Sequence, residues 1–213
     1  SKRLSNPDTT ITVKVGDLFD EPGHLVIGMC DTFDIEIGDI IKKDSVQGQL
    51  LARQYHSNTE QFDKELSQAL TRLNLTPVPE NGKARGKTVR YPIGTTVRLG
   101  SGSQMYFCTA YGRMSNDLKV NSTIDDLWIS LNNVWKSIRL NGHGTKVAIA
   151  VIGSDLARSG QPHATLIQLI ALSFVTASRQ EFITKELVIV VHPSDLHKVN
   201  MSNLDYSLHM LCS

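Results

Sequence analysis

The run Lys146-Val-Ala-Ile-Ala-Val-Ile-Gly-Ser-Asp-Leu-Ala-Arg-Ser-Gly160, continued by Pro162 and an apolar-periodic stretch to Arg179, decides how this chain is read. Lys146–Ile152 is a short apolar run of the kind that forms a buried strand. Gly153 and Gly160 bracket a loop, and Pro162 is tolerated in the first turn of the helix that follows. A buried strand feeding a helix through a small-residue loop is a building unit of α/β folds. It also exposes backbone N–H groups beside a helix N-terminus, an anion site suited to a diphosphate. The two glycines permit unusual dihedrals and close backbone approach. Ser154, Asp155, Leu156 and Ala157 complete the loop, and Arg158 offers a charge-assisted contact. The loop has neither the Gly-Lys-Ser/Thr ending of a Walker sequence nor a GxGxxG fingerprint. Any strand-to-helix loop favours glycine, so this unit alone leaves phosphate binding open.

Outward from that unit, strand and helix signals alternate along the whole chain. Ile11–Val15 reads as a strand that ends in Gly16-Asp17-Leu18. A carboxylate there either accepts a bond from an exocyclic amine or simply turns the chain. Leu25–Met29 reads as a second buried strand. Residues 44–73 are helical in pattern, broken at His56-Ser57-Asn58, with Ser57 or Asn58 capping the second piece. Pro77–Lys87 reads as an exposed loop. Thr88–Leu99 and Gln104–Arg113 read as strands joined at Gly100-Ser-Gly102. Ile124, Leu127, Trp128, Leu131, Val134, Trp135 and Ile138 recur at helical spacing on one buried face, capped by Ser122 or Thr123 and stopped by Gly142. Leu187–Val191 is the last core strand, and a short helix follows from Ser194. The pattern describes an α/β fold in one domain, residues 1–213; residues 1–10, which begin Ser1-Lys2-Arg3 without an initiator Met, are expected to be a linker following a removed N-terminal segment.

Composition narrows the function. Lys plus Arg number 22 against 21 for Asp plus Glu, a formal charge of +1. Nothing here drives electrostatic binding to nucleic acid or an anionic membrane, so an anionic ligand has to be held by local geometry. The three cysteines are unpaired in spacing and suit a reducing compartment. Cys30 and Cys108 fall in strands and read as small core residues. The seven histidines show no metal-ligand spacing, and His163, just after the glycine loop, reads first as a packing residue and otherwise as one that could reach a ligand. No apolar stretch approaches the roughly 20 residues of a membrane span.

Taken in order, a strand ending Gly16-Asp17-Leu18, a short apolar strand, a loop and helix, and a late strand entering a glycine-bracketed loop resemble the macro-domain family. Met105-Tyr-Phe-Cys-Thr-Ala-Tyr111, Ser122-Thr-Ile-Asp-Asp-Leu-Trp128, Val151–Ser159 and Leu172-Ser-Phe174 resemble more closely the ThsA-type macro domain of bacterial Thoeris antiphage effectors. The resemblance implies a three-layer α/β fold with a mixed central sheet of about six strands flanked by helices. It implies adenine at Asp17 and Leu18 and diphosphate over Gly153–Gly160. The distal part of the ligand would face Cys30, Asp31 and Thr32, with further anion contacts from Ser45, Gln47 and Gly48. Asp31, Thr32 and Asp34 read equally as ligand contacts or as loop caps. The Asn pair and glycine run of macro-domain hydrolases are missing from Gly28–Asp39. The implied function is therefore non-enzymatic sensing of a small-molecule nucleotide signal, histidine–ADP-ribose, made from NAD by a TIR enzyme. ADP-ribosyl or O-acyl-ADP-ribose hydrolysis is the alternative. No cofactor, metal or nucleic acid is expected, and a homo-oligomer is expected on activation. The resemblance places the domain in the cytoplasm, tethered to the inner membrane through an N-terminal segment of the full-length effector.

Overall fold

A computed structural model of the chain describes residues 1–153 and 159–213. In order these form β1 (Lys2–Ser5), β2 (Asp8–Val15), β3 (His24–Cys30), α1 (Val46–Gln54), α2 (Thr59–Arg72), β4 (Val78–Pro79), β5 (Val89–Arg90), β6 (Thr96–Ser101), β7 (Gln104–Met114), β8 (Val120–Asn121), α3 (Ile124–Asn141), β9 (Val147–Ala150), α4 (His163–Gln180), β10 (Glu186–Val191) and α5 (Met201–Cys212). Short 3-10 turns occupy Leu18–Asp20 and Pro193–Lys198.

The main sheet runs β1-β2-β10-β9-β3-β7-β6, with β8 paired to β7, eight strands where about six were expected. Strands β2, β10, β9, β3 and β7 are mutually parallel, and β1, β6 and β8 are antiparallel to their neighbours. The expected linker at residues 1–10 is instead sheet. Lys2 pairs with Ile11, and Leu4 is buried in the core. A four-residue edge strand with one apolar side chain carries too little pattern to be read in advance. The exposed loop expected at Pro77–Lys87 likewise contains β4, which pairs with β5.

Side-chain alternation along the parallel strands sorts the core into two layers. Ile149, Leu187 and Ile189 face α3, α4 and α5, while Ala148, Val188 and Val190 face α1 and α2. Helix α3 starts in a capping box between Thr123 and Asp126 and ends at Gly142. Its stripe is buried as expected except for Ile124 and Trp128, which are half-buried. Trp135 is fully inside, its indole N–H donating to Ser173 Oγ at 2.9 Å.

The core also fixes a histidine in one protonation state. His24 is buried, its Nδ1 accepts the Met105 N–H at 3.2 Å and its Nε2 faces the Gly142 carbonyl at 3.1 Å. Burial, chiefly, pushes its pKa below the ordinary 6.5. The unfolded chain therefore takes up a proton near pH 6.5 that the folded state refuses. Stability is full above that pH and falls as the medium acidifies toward the folded value, by up to about 1.4 kcal/mol per pH unit. Urea unfolding at pH 7.5, 6.0 and 5.0 should show a steeper decline for the native sequence than for His24→Gln. Parallel declines would show that His24 contributes nothing.

Candidate functional site

Five parallel strands place their C-terminal ends along one edge of the sheet, where loops can converge on a ligand. Four strand steps separate β2 from β7, about 19 Å at roughly 4.8 Å per step. Asp17, His192, Gly153, Cys30 and Tyr111 follow in that order along this edge. A cavity of about 480 Å³ opens over it, reaching from His192 to Tyr111. Its walls are the start of α1, the turn after β10, and the segment Leu118–Val120.

The start of α1 lines the cavity with polar groups. Ser45 is its N-cap, accepting the Gly48 N–H at 3.1 Å while its hydroxyl donates to the Lys42 carbonyl at 2.7 Å. The N–H groups of Val46 and Gln47 are left without an intrahelical acceptor, at the positive end of the helix dipole. Ser45 and Gln47 both border the cavity, as does Lys42. Gln47 is also a tether, its Nε2 donating to the Asp34 carbonyl at 2.6 Å. Gly48, expected as a ligand contact, lies off the cavity wall. A Cβ there would sit 2.4 Å from the Lys42 carbonyl oxygen, so this glycine lets the preceding loop pack against the helix.

Gly153 borders the cavity in the left-handed conformation, φ 82°. The Ser159 hydroxyl donates to its carbonyl. Ser154, Asp155, Leu156, Ala157 and Arg158 lie outside the described residues. Gly160 also has a positive φ, 69°, but is exposed and away from the cavity wall.

Asp17 stands one strand beyond His192, off the wall itself. Its Oδ1 accepts the Phe19 N–H at 2.9 Å and its Oδ2 accepts from Arg53 at 2.6 Å. Burial pushes this carboxyl up, but the Phe19 N–H and the Arg53 guanidinium outweigh it and hold the pKa below the ordinary value. Arg53 lies 5.0 Å over the Phe19 ring. An ionised carboxylate retains acceptor capacity beyond these two bonds. Leu18 is buried in the layer between the sheet and α1–α2.

The contacts expected from Asp31 and Thr32, with Asp34 beside them, are corrected by the structure. Asp31 accepts from Arg90 at 2.9 Å and from the Met114 N–H at 2.8 Å. Asp34 accepts from Lys83 through both oxygens, at 2.8 and 2.7 Å, and from the Lys87 N–H at 2.6 Å. Thr32 donates to Asp34 and is fully buried. None of the three borders the cavity. The sequence could not show that the segment read as a loop supplies Lys83 to Asp34, or that the strand after it supplies Arg90 to Asp31. Cys30 does border it, as a neutral thiol raised first by burial and then by Asp34.

Sequence reading passed over several wall residues. His192, Ser194 and Asp195 come from the turn after β10, and Tyr111 and Lys119 from around β7 and β8. The signal was available for His192, which directly follows a parallel strand. His163 is buried, with Nε2 3.7 Å from Asp195, and is not on the wall. Among the described residues no cluster of three or more His, Cys, Asp or Glu could hold a metal, and no helix is long and apolar enough to cross a membrane.

Comparison with known proteins gives this geometry a family. Residues 11–192 match the family model described as Thoeris protein ThsA, macro domain. The Thoeris protein ThsA of Bacillus amyloliquefaciens (strain Y2) is 22% identical over 201 residues, covering 91% of this chain, which spans 66% of that protein's length. A variant of the Oceanobacillus iheyensis macrodomain superposes with a TM-score of 0.60 at 13% identity, covering 98% of both chains. Another variant of it, solved with ADPR, gives a TM-score of 0.52 at 16% identity over 98% of this chain and 94% of that one. At these identities the solved structures speak for the fold alone. The matched family model spans nearly all of the cavity's surroundings and most of the sheet, and the chain belongs to the ThsA macro-domain family.

Proposed function

We propose that this domain is a non-catalytic sensor that holds an ADP-ribose-derived signal in the cavity along the strand ends. The observation that carries the reading is the convergence of the Gly16-Asp17 and Gly153 turns on one sheet edge, with the start of α1 on the wall of the cavity that opens over it. Adenine stacks at the Asp17 and His192 end, and the diphosphate lies between Gly153 and the Ser45–Gln47 N–H groups, where local dipoles replace a missing net positive field. The second ribose and its substituent extend toward Cys30 and Tyr111. ThsA membership and a related macrodomain solved with ADPR support this ligand class. The signal is a histidine–ADP-ribose conjugate produced by a TIR enzyme, and its binding favours an oligomeric, active effector because it stabilises one state more than the other.

A binding rather than hydrolytic role is favoured by the state of the side chains nearest the far end. Asp31 and Asp34 are committed to Arg90 and Lys83, and the Cys30 thiol is neutral. Calorimetric titration with ADP-ribose and histidine–ADP-ribose should show saturable binding, tighter for the conjugate. Chromatography of the same mixtures should show the ligands unchanged. Saturating ligand should also raise the melting temperature, since it binds the native state alone. An unmoved melt with both compounds would refute the reading, and steady release of free ADP-ribose from the conjugate would replace it with a hydrolase.

A further inference from the structure

Tyr111 of β7 lays its ring across Gly28 of β3. A Cβ at position 28 would come within 2.5 Å of the ring's Cε1 and 2.7 Å of its Cδ1, so the ring occupies space that any other residue there would claim. The side chain borders the far end of the cavity with Cys30, Leu118 and Val120. Among the described residues its hydroxyl has no hydrogen-bond partner. The side chain is half-buried, on the cavity wall. Burial, and then the nearby Cys30, push the phenol up to about 12, which keeps it a neutral donor near pH 7.

The nearest packed side chains are apolar, while Asp39, paired with Arg85, and Lys119, paired with Asp117, also line the cavity. Ile40, Ile41, Leu118 and Val120 cluster beside Cys30 at this end. The two carboxylates closest in sequence to Cys30 are held by Lys83 and Arg90. A cationic amine in place of the ribose, pressed directly against these apolar side chains, would lose water without an unpaired carboxylate among them to offset the loss. An uncharged ring bearing hydroxyls would lose little and could exchange a bond with the phenol.

We propose that Tyr111 determines specificity for the distal part of the nucleotide, its phenol selecting an uncharged hydroxyl-bearing ring such as a second ribose, with Gly28 as the gap that seats it. The inference rests on the nucleotide reading above and is testable separately from it. Tyr111→Phe keeps the ring and removes only the hydroxyl. Calorimetry with ADP, which ends at the diphosphate, and with ADP-ribose should show unchanged affinity for the first and about a tenfold loss for the second. Gly28→Ala, which displaces the ring, should repeat that selective loss. Equal ADP-ribose affinity in native and Tyr111→Phe proteins, or an equal loss for both ligands, would overturn the assignment while leaving nucleotide binding intact. A native protein that binds neither compound would overturn both readings.

Discussion

Lys83→Met should be the most damaging single change in this domain, lowering its stability by about 3–5 kcal/mol. The Lys83 ammonium and the Asp34 carboxylate are 0% and 1% exposed, 2.7 Å apart, so removing the cation strands an anion where water cannot reach it. Met approximates the length and volume of the lysine stem, which limits cavity formation and isolates the charge. Asp34 also accepts from the Lys87 N–H and the Thr32 hydroxyl, which places three elements on one carboxylate: the loop after β3, the β4–β5 hairpin, and the end of β3 through Cys30, while Gln47 of α1 holds the Asp34 backbone carbonyl. The double variant Lys83→Met with Asp34→Leu removes both charges and should recover part of the loss. Recovery stays incomplete because Lys87 N–H and the Thr32 hydroxyl then lack an acceptor. Denaturant unfolding followed by circular dichroism measures all three proteins. A Lys83→Met midpoint equal to that of the native chain would mean that the pair has no energetic role. Because Asp39, Ile40 and Ile41 of the same loop border the cavity, ligand affinity should fall together with stability.

This ion pair shows where sequence reading stops. Elements with a period were legible: the α3 stripe and its Thr123 cap, the break at His56-Ser57-Asn58, and the apolar strands β3, β9 and β10 all have side-chain spacings that only one geometry buries. The alternation of elements was enough for the fold class, and the resemblance of Gly16-Asp17 and Gly153 to family positions put both turns on one edge. What spacing could not carry was the pairing of charges 49 residues apart. Asp31 and Asp34 looked available because a carboxylate in a loop has no visible partner in one dimension. Lys83 fell in a segment read as an exposed loop because it is rich in Pro, Gly and charge, and Arg90 in the strand after it, with nothing to tie either to the β3 loop. Burial of Lys83 depends on the hairpin folding back over the β3 loop, a long-range event that leaves no local periodicity. Tyr111 was hidden for the opposite reason: in a strand as buried as β7 one aromatic looks like its neighbours, and the glycine that exposes its ring lies on another strand.

Gly153→Val should weaken ADP-ribose binding by about a hundredfold while leaving the domain folded. Two terms combine at this position. A non-glycine residue at φ 82° carries roughly 1–2 kcal/mol of backbone strain. The new Cβ would also meet Leu127 Cδ1 at 2.7 Å, and Leu127 is 1% exposed in the α3 core, so relief by moving that side chain is itself unfavourable. A free protein escapes both by rotating the 153 peptide away, which tilts the strand end and the loop it feeds. Binding must then reverse the rotation, and about 3 kcal/mol of strain reappears as lost affinity, a little over two powers of ten. Gly160→Ala separates the terms, because φ there is 69° but a Cβ would meet nothing within 4 Å. It adds the backbone strain alone, at a position off the cavity wall, and should lose less affinity than Gly153→Val, no more than about tenfold. Calorimetry with ADP-ribose on both variants, with melting curves to confirm folding, makes the comparison. If Gly153→Val kept native affinity, the diphosphate could not lie against the end of β9, and the order adenine, diphosphate, distal ring along the sheet edge would have to be abandoned.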